Sequence, residues 1–170
     1  MTDDEKPNAR NAGGVFEPFP IDRVPWEEAS RGQRFGMRYQ HLSSYGGGTQ
    51  ISIANEILSP GRQANPLHYH MLEEEHVFVL EGTLTVRLGE REYLLTQGHY
   101  VCFPAGQRVG HSLHNHTSEP CRYLVLGNPQ PNEVAVFPET GRVDVKLMRE
   151  GYRSSATLGY WEGVDDGGQK

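Results

Sequence analysis

His68-Tyr69-His70 sets two imidazoles two residues apart, and Glu75 follows five residues after His70. Alternate side chains of an extended strand share a face, so His68 and His70 converge on one point with Cα atoms about 6.6 Å apart, while Tyr69 points away. Glu75, at an odd offset, would fall on the opposite face of an unbroken strand, so a turn through residues 71–74 is expected. Glu75 then opens the next strand, with Val77 and Val79 on its inward side. Two imidazoles and a carboxylate make three sides of a divalent-metal site. A fourth donor has to come from a distant strand, which a closed barrel can bring across its interior. The turn residues Pro104-Ala105-Gly106 precede a run in which His111, Leu113 and Asn115 share a face. His111 is the candidate fourth ligand; His114 is expected to face outward with Ser112 and His116.

Such a site needs strands, and from Phe35 onward short extended runs alternate with turn residues, the pattern of an antiparallel sandwich or barrel. Runs at 77–80, 83–88, 92–95, 100–103 and 122–126 are separated by Gly82, Gly89, Gly98 and Pro104-Ala105-Gly106. In residues 50–57, alternation places Ile51, Ile53, Asn55 and Ile57 on one face. Residues 1 to about 20 have no sustained period and read as a loose arm or an edge strand lent to a partner. Residues 24–32 read as one or two helical turns, with Pro25 near the start and Gly32 at the end. The aromatics near the C-terminus, among them Tyr152, Tyr160 and Trp161, are expected on the barrel's outer wall or a subunit interface rather than over its mouth.

The chain has 170 residues, 36% hydrophobic and 22% charged, with 20 Gly and 11 Pro, as expected for one turn-rich domain. The formal charge of −6 and the lack of a Lys/Arg stripe argue against nucleic acid as a partner. No apolar run approaches the ~20 residues of a membrane-spanning helix, and the first residues do not read as a leader, so a cytoplasmic protein without a membrane partner is expected. Cys102 and Cys121 read as reduced, buried thiols. The other histidines, His41, His76, His99, His114 and His116, read as exposed or structural. Glu73 and Glu74 read as turn carboxylates, either of which can hydrogen-bond a ligand histidine. Gln50, Asn55, Asn115 and Tyr123 are polar candidates for the barrel lining; no catalytic base is identified.

The two blocks resemble the paired motifs of the cupin superfamily. Gly61, His68, His70, Glu75 and Gly82 match the first motif, and Gly98, Pro104, Gly106, His111 and Asn115 the second. Six residues separate Gly61 from His68, and four separate Gly106 from His111, each more than the usual pattern. The resemblance covers about residues 61–115. It implies an all-β double-stranded β-helix, or jelly-roll barrel, over residues 35–130, with an N-terminal arm over 1–34 and a C-terminal extension over 131–170. It also implies one divalent ion (Fe, Mn, Zn or Ni) on His68, His70, Glu75 and His111, a small-molecule substrate and a homodimer. The spacing is similar to that of small bacterial cupins labelled sugar-phosphate isomerases. The leading expectation is therefore isomerisation, epimerisation or elimination on an oxygen-rich substrate; an Fe(II)-dependent dioxygenase and a non-catalytic sugar or effector binder are the alternatives.

Overall fold

A computed structural model describes residues 7–163. The parts of the expected terminal segments at residues 1–6 and 164–170 lie outside the described residues.

The first sheet forms because six stretches of alternating side chains each pair antiparallel with their neighbours. Its strands are β1 (Glu27–Arg31), β2 (Phe35–His41), β3 (Ser52–Leu58), β5 (Glu75–Glu81), β8 (Tyr100–Phe103) and β10 (Cys121–Gly127), in the order β1-β2-β3-β10-β5-β8. Opposite it lie β6 (Thr83–Leu88), β7 (Arg91–Thr96) and β9 (His111–His114), in the order β7-β6-β9. A further sheet contains β4 (Tyr69–His70), β11 (Val134–Phe137), β12 (Arg142–Val145) and β13 (Glu150–Arg153), in the order β13-β12-β11-β4. A bridge between His68 and His111, with both backbone hydrogen bonds made (3.1 and 2.7 Å), joins β4 to β9. The core between the layers comes from alternate positions: Leu58 of β3, Val77 and Val79 of β5, Leu84 and Val86 of β6, Phe103 of β8, Leu113 of β9, and Cys121 and Tyr123 of β10. Among the described residues the one α-helix is the single turn α1 (Leu42–Tyr45), and no helix is long and apolar enough to cross a membrane.

Two expectations need correction. The stretch 24–32 is not helical: after a short 3-10 turn at Ile21–Arg23 it becomes β1, paired with β2 from Glu27↔Tyr39 to Arg31↔Phe35. Gly32, taken as a helix end, has φ +60° and supplies the left-handed residue of the hairpin turn instead. In β3 the four residues expected to share a face, Ile51, Ile53, Asn55 and Ile57, do so, and that face is the outer one. Ile51 is exposed and Ile53 and Ile57 half-buried, whereas Ala54, Glu56 and Leu58 point into the barrel. In β9, His116 is exposed as expected, but Ser112 is buried and His114 half-buried. Ser112 Oγ lies 2.9 Å from His114 Nε2, and Arg87 is the cross-strand neighbour of Ser112 on that face.

Both cysteines are unpaired, Cys121 buried and Cys102 half-buried. Among the described residues the last two aromatics are largely exposed, Tyr160 being 87% and Trp161 73%.

Candidate metal centre

His68, His70, Glu75 and His111 are brought together as expected, each offering a donor atom within 4.8 Å of the other three. The His68–His111 bridge fixes two of the ligands at the seam between β4 and β9, and His70 follows two residues later on the same face. The chain then bends through Met71–Glu74, and Glu75 opens β5 across from Phe103 of β8.

The tautomer of His68 follows from its partner. The Pro66 carbonyl, 2.8 Å from Nδ1, can only accept, so Nδ1 carries the proton and Nε2 presents a lone pair. That Nε2 lies 3.1 Å from His70 Nε2. His70 Nε2 is in turn 3.5 Å from Glu75 Oε2, and His111 Nε2 is 3.8 Å from the same oxygen. His70 Nδ1 and both ring nitrogens of His111 are buried without any hydrogen bond. Of these, His111 Nε2 is the one turned toward Glu75; a buried nitrogen left unpaired there is costly unless something occupies the point it faces, and three imidazoles with one carboxylate fit a divalent cation.

The electrostatics agree with that fit. Burial, with His111 beside it, lowers His68 to about 4, leaving its imidazole neutral and available as a ligand at neutral pH. Burial works against the charged form of Glu75, yet His111 and His70 outweigh it and hold the carboxyl well below the usual range. Burial likewise opposes protonation of His70, but Glu75, Glu133 and Glu73 raise it overall.

Aromatic rings brace the ligands. Phe103 stacks on His111 with centroids 3.8 Å apart and planes 4° apart, and Phe137 of β11 stacks on His68 at 5.6 Å. It is Phe137, not the last aromatics of the chain, that covers the site.

Two acidic residues were not singled out from the sequence. Glu133, 2% exposed, reaches back from the segment after β10 to the turn between His70 and Glu75. There it accepts the backbone N–H groups of Met71 (2.7 Å), Leu72 (3.0 Å) and Glu73 (2.5 Å). Its Oε1 is also 3.6 Å from His70 Nδ1. Glu73, expected as a turn carboxylate near a ligand histidine, lies 3.8 Å from the same nitrogen and pairs with Lys146 at 2.6 Å. No local pattern marks Glu133, whose role depends on a contact 62 residues away. Glu56 did leave a signal, as a carboxylate inside an otherwise strand-like apolar run.

Glu56 is buried beside Tyr123. Burial raises it to about 7, with the Tyr123 hydroxyl working against that shift and the Glu75 charge adding to it. Glu56 and Glu75 line one cavity of about 240 Å³ that also touches Ala54, Val125 and Asn128. A second cavity, of about 400 Å³, opens beside His70 and is lined by Glu73, Glu133, Arg142, Lys146 and Arg149.

Of the other polar candidates, Asn55 faces outward, bonded to Gln40 and Arg122. Asn115 binds the carbonyls of Leu58 and Glu119 and so pins a turn, while Gln50 is exposed. Tyr123 alone of the four points into the barrel beside the acids.

Residues 55–127 match the Cupin domain family. These residues are a cupin domain. The cupin fold is shared with a crystal structure described as a cupin-superfamily sugar phosphate isomerase from Silicibacter pomeroyi DSS-3, with TM-score 0.74, 25% identity, and coverage of 85% of this chain and 98% of that one. The chain is also 30% identical over 114 residues to quercetin 2,3-dioxygenase of Bacillus subtilis (strain 168), a match covering 65% of this chain and 34% of that protein. It is 29% identical over 100 residues to the tetracenomycin polyketide synthase protein TcmJ of Streptomyces glaucescens, covering 59% of this chain and 62% of the relative. The matched cupin region thus spans about a third of the first relative and less than two thirds of the second.

Proposed function

We propose that the protein is a divalent-metal-dependent enzyme that moves a proton on a small, oxygen-rich substrate, in an isomerisation, epimerisation or elimination. His68, His70, Glu75 and His111 would hold the ion, which when bound would polarise a substrate carbonyl or hydroxyl oxygen.

The observation that carries this reading is Glu56, a carboxyl inside the barrel in the same cavity as Glu75. A group titrating near the working pH can both take and return a proton, and burial places Glu56 there, at about 7. Tyr123 stands directly across from Glu56 on the neighbouring strand, and its buried hydroxyl, which makes no hydrogen bond in this structure, would donate to the Glu56 carboxylate once the proton has left it. On the other side of His70, the larger cavity is lined by Arg142, Lys146 and Arg149 together with Glu73, Glu133, Asp144 and Glu150, a mixed-charge surrounding that suits a polar, oxygen-bearing molecule. The likeness to a structure described as a sugar phosphate isomerase supports the same choice.

The second reading, an Fe(II)-dependent dioxygenase, is favoured by the similarity to quercetin 2,3-dioxygenase and by the phenyl rings stacked on His68 and His111.

The two readings separate in D₂O. Metal-loaded protein is incubated with a panel of aldose and ketose phosphates and hydroxy acids, and the products are read by mass spectrometry. Deuterium incorporation by the wild type, reduced about 100-fold or more in Glu56→Gln at unchanged metal content, is the expected result. Oxygen uptake with quercetin and no deuterium incorporation into any of the panel would overturn it.

A further inference from the structure

Outside the barrel, on the opposite face of β5, a second donor cluster shares no residue with the first. Glu74, His76 and Cys102 each place one donor within 4.8 Å of the other two. The strand register produces this. His76 of β5 stands directly across from Cys102 of β8, and cross-strand partners hold their Cβ atoms about 4.5 to 5.5 Å apart. Glu74 lies two residues before His76 and so projects to the same side; its Oε1 is already 3.1 Å from His76 Nε2. The Glu74 backbone N–H is tied to Asn128 Oδ1 at 2.6 Å, which fixes where its side chain starts.

The histidine is oriented as a metal ligand would be. His76 Nδ1 lies 2.6 Å from the Tyr100 hydroxyl, and the two rings stack at 5.8 Å. In the metal-free protein the Glu74 carboxylate can only accept, so Nε2–H points at it and Nδ1 accepts the Tyr100 O–H; an ion at Nε2 would displace that proton, with Nδ1–H then donated to the Tyr100 oxygen, and ligating histidines are commonly held by such a bond at the other nitrogen. All three residues are half-buried, accessible to an ion yet set in paired strands. Thiolate, imidazole and carboxylate together select a borderline-soft cation, with water free to complete a tetrahedron.

We propose that Glu74, His76 and Cys102 form a second metal site, on the outer face of the barrel, that takes Zn²⁺ and is independent of the barrel site.

Cobalt(II) separates the two sites because only the outer one contains sulfur. Metal-free protein is titrated with Co²⁺ and followed in the ultraviolet and visible. The expected result is a thiolate-to-cobalt charge-transfer band whose final intensity corresponds to one Co²⁺ per chain, reached by two added equivalents in the wild type because the barrel site also fills; it is absent in Cys102→Ser, reduced at least about 10-fold in affinity in Tyr100→Phe, and of the same final intensity in Glu75→Gln. Zn²⁺ competition should then remove the band. No charge-transfer band in the wild type, or one that survives unaltered in His76→Ala, would overturn the proposal. Circular dichroism of the outer-face variants provides the folding control, and retention of the band in Glu75→Gln makes the test independent of the barrel site.

Discussion

Replacing Glu133 tests how the ligand turn is held. Its carboxylate receives three backbone N–H groups from the bend between His70 and Glu75. A hydrogen bond to a charged group contributes about 1.5 to 3 kcal/mol net, and an abandoned buried donor costs a similar amount. The bend is partly exposed, so water can replace part of what is lost. Glu133→Ala should therefore destabilise the metal-free protein by about 3 kcal/mol, well below the sum of three full bonds. For a chain of this size that is a drop in Tm of about 6 to 12 °C. Glu133→Gln can keep its carbonyl on Leu72 and Glu73 but turns an NH₂ toward the Met71 N–H, so about half that loss is expected. Both changes loosen His70 and Glu75 relative to each other, and metal affinity should fall about 10- to 100-fold. Urea unfolding of metal-free protein gives the first quantity, and competition with a chromophoric chelator the second. Stability within about 0.5 kcal/mol of wild type in Glu133→Ala, with unchanged affinity, would refute the reasoning and mean that the bend holds its shape without the clasp.

Glu56 predicts a pH-dependent penalty. Its folded value near 7 lies above the ordinary 4.5, so the folded state holds the proton more tightly, and stability is lost as pH rises from about 4.5 through about 7. In metal-free protein, Glu56→Gln should gain on the wild type across that window, by up to about 3 kcal/mol at 1.36 kcal/mol per pH unit; parallel unfolding curves from pH 4.5 to 8 that stay equally spaced would contradict this. Gly82, at φ +79°, leaves no room for a side chain, since a Cβ would meet the Pro120 carbonyl oxygen at 2.7 Å. Gly82→Ala should cost about 2 kcal/mol or more from left-handed strain and the backbone clash combined, and a thermal midpoint within 2 °C of wild type would argue against so close an approach.

The four candidate ligands could be read in the sequence because each step depended on local geometry. Period-2 alternation pairs His68 with His70, the odd offset of Glu75 demands a bend, and the glycines and Pro104 mark where strands end. The strands of the barrel were legible for the same reason. The 24–32 stretch was misread because Pro25 and Gly32 suit a helix or a hairpin equally, and only pairing with Phe35–His41 decides between them. That Ile51, Ile53, Asn55 and Ile57 share a face of β3 was legible from alternation, but which face lines the barrel was not, because an isoleucine stripe and the Ala54, Glu56, Leu58 stripe differ too little in composition to say which is inside. Glu133 and Phe137 reach the site through the pairing of β11 with β4, a long-range contact that no periodicity encodes. The cluster of Glu74, His76 and Cys102 likewise depends on the β5–β8 register.

The central claim is that His68, His70, Glu75 and His111 hold one divalent ion within the barrel. It is tested most directly by elemental mass spectrometry of untagged Cys102→Ser protein, which lacks the outer thiolate, alongside the same variant carrying Glu75→Gln or His111→Ala. One equivalent of Fe, Mn, Zn or Ni in the first, lost in the other two while circular dichroism stays unchanged, is the predicted result. Less than a tenth of an equivalent in Cys102→Ser, even after reconstitution with each of the four metals, would contradict the claim.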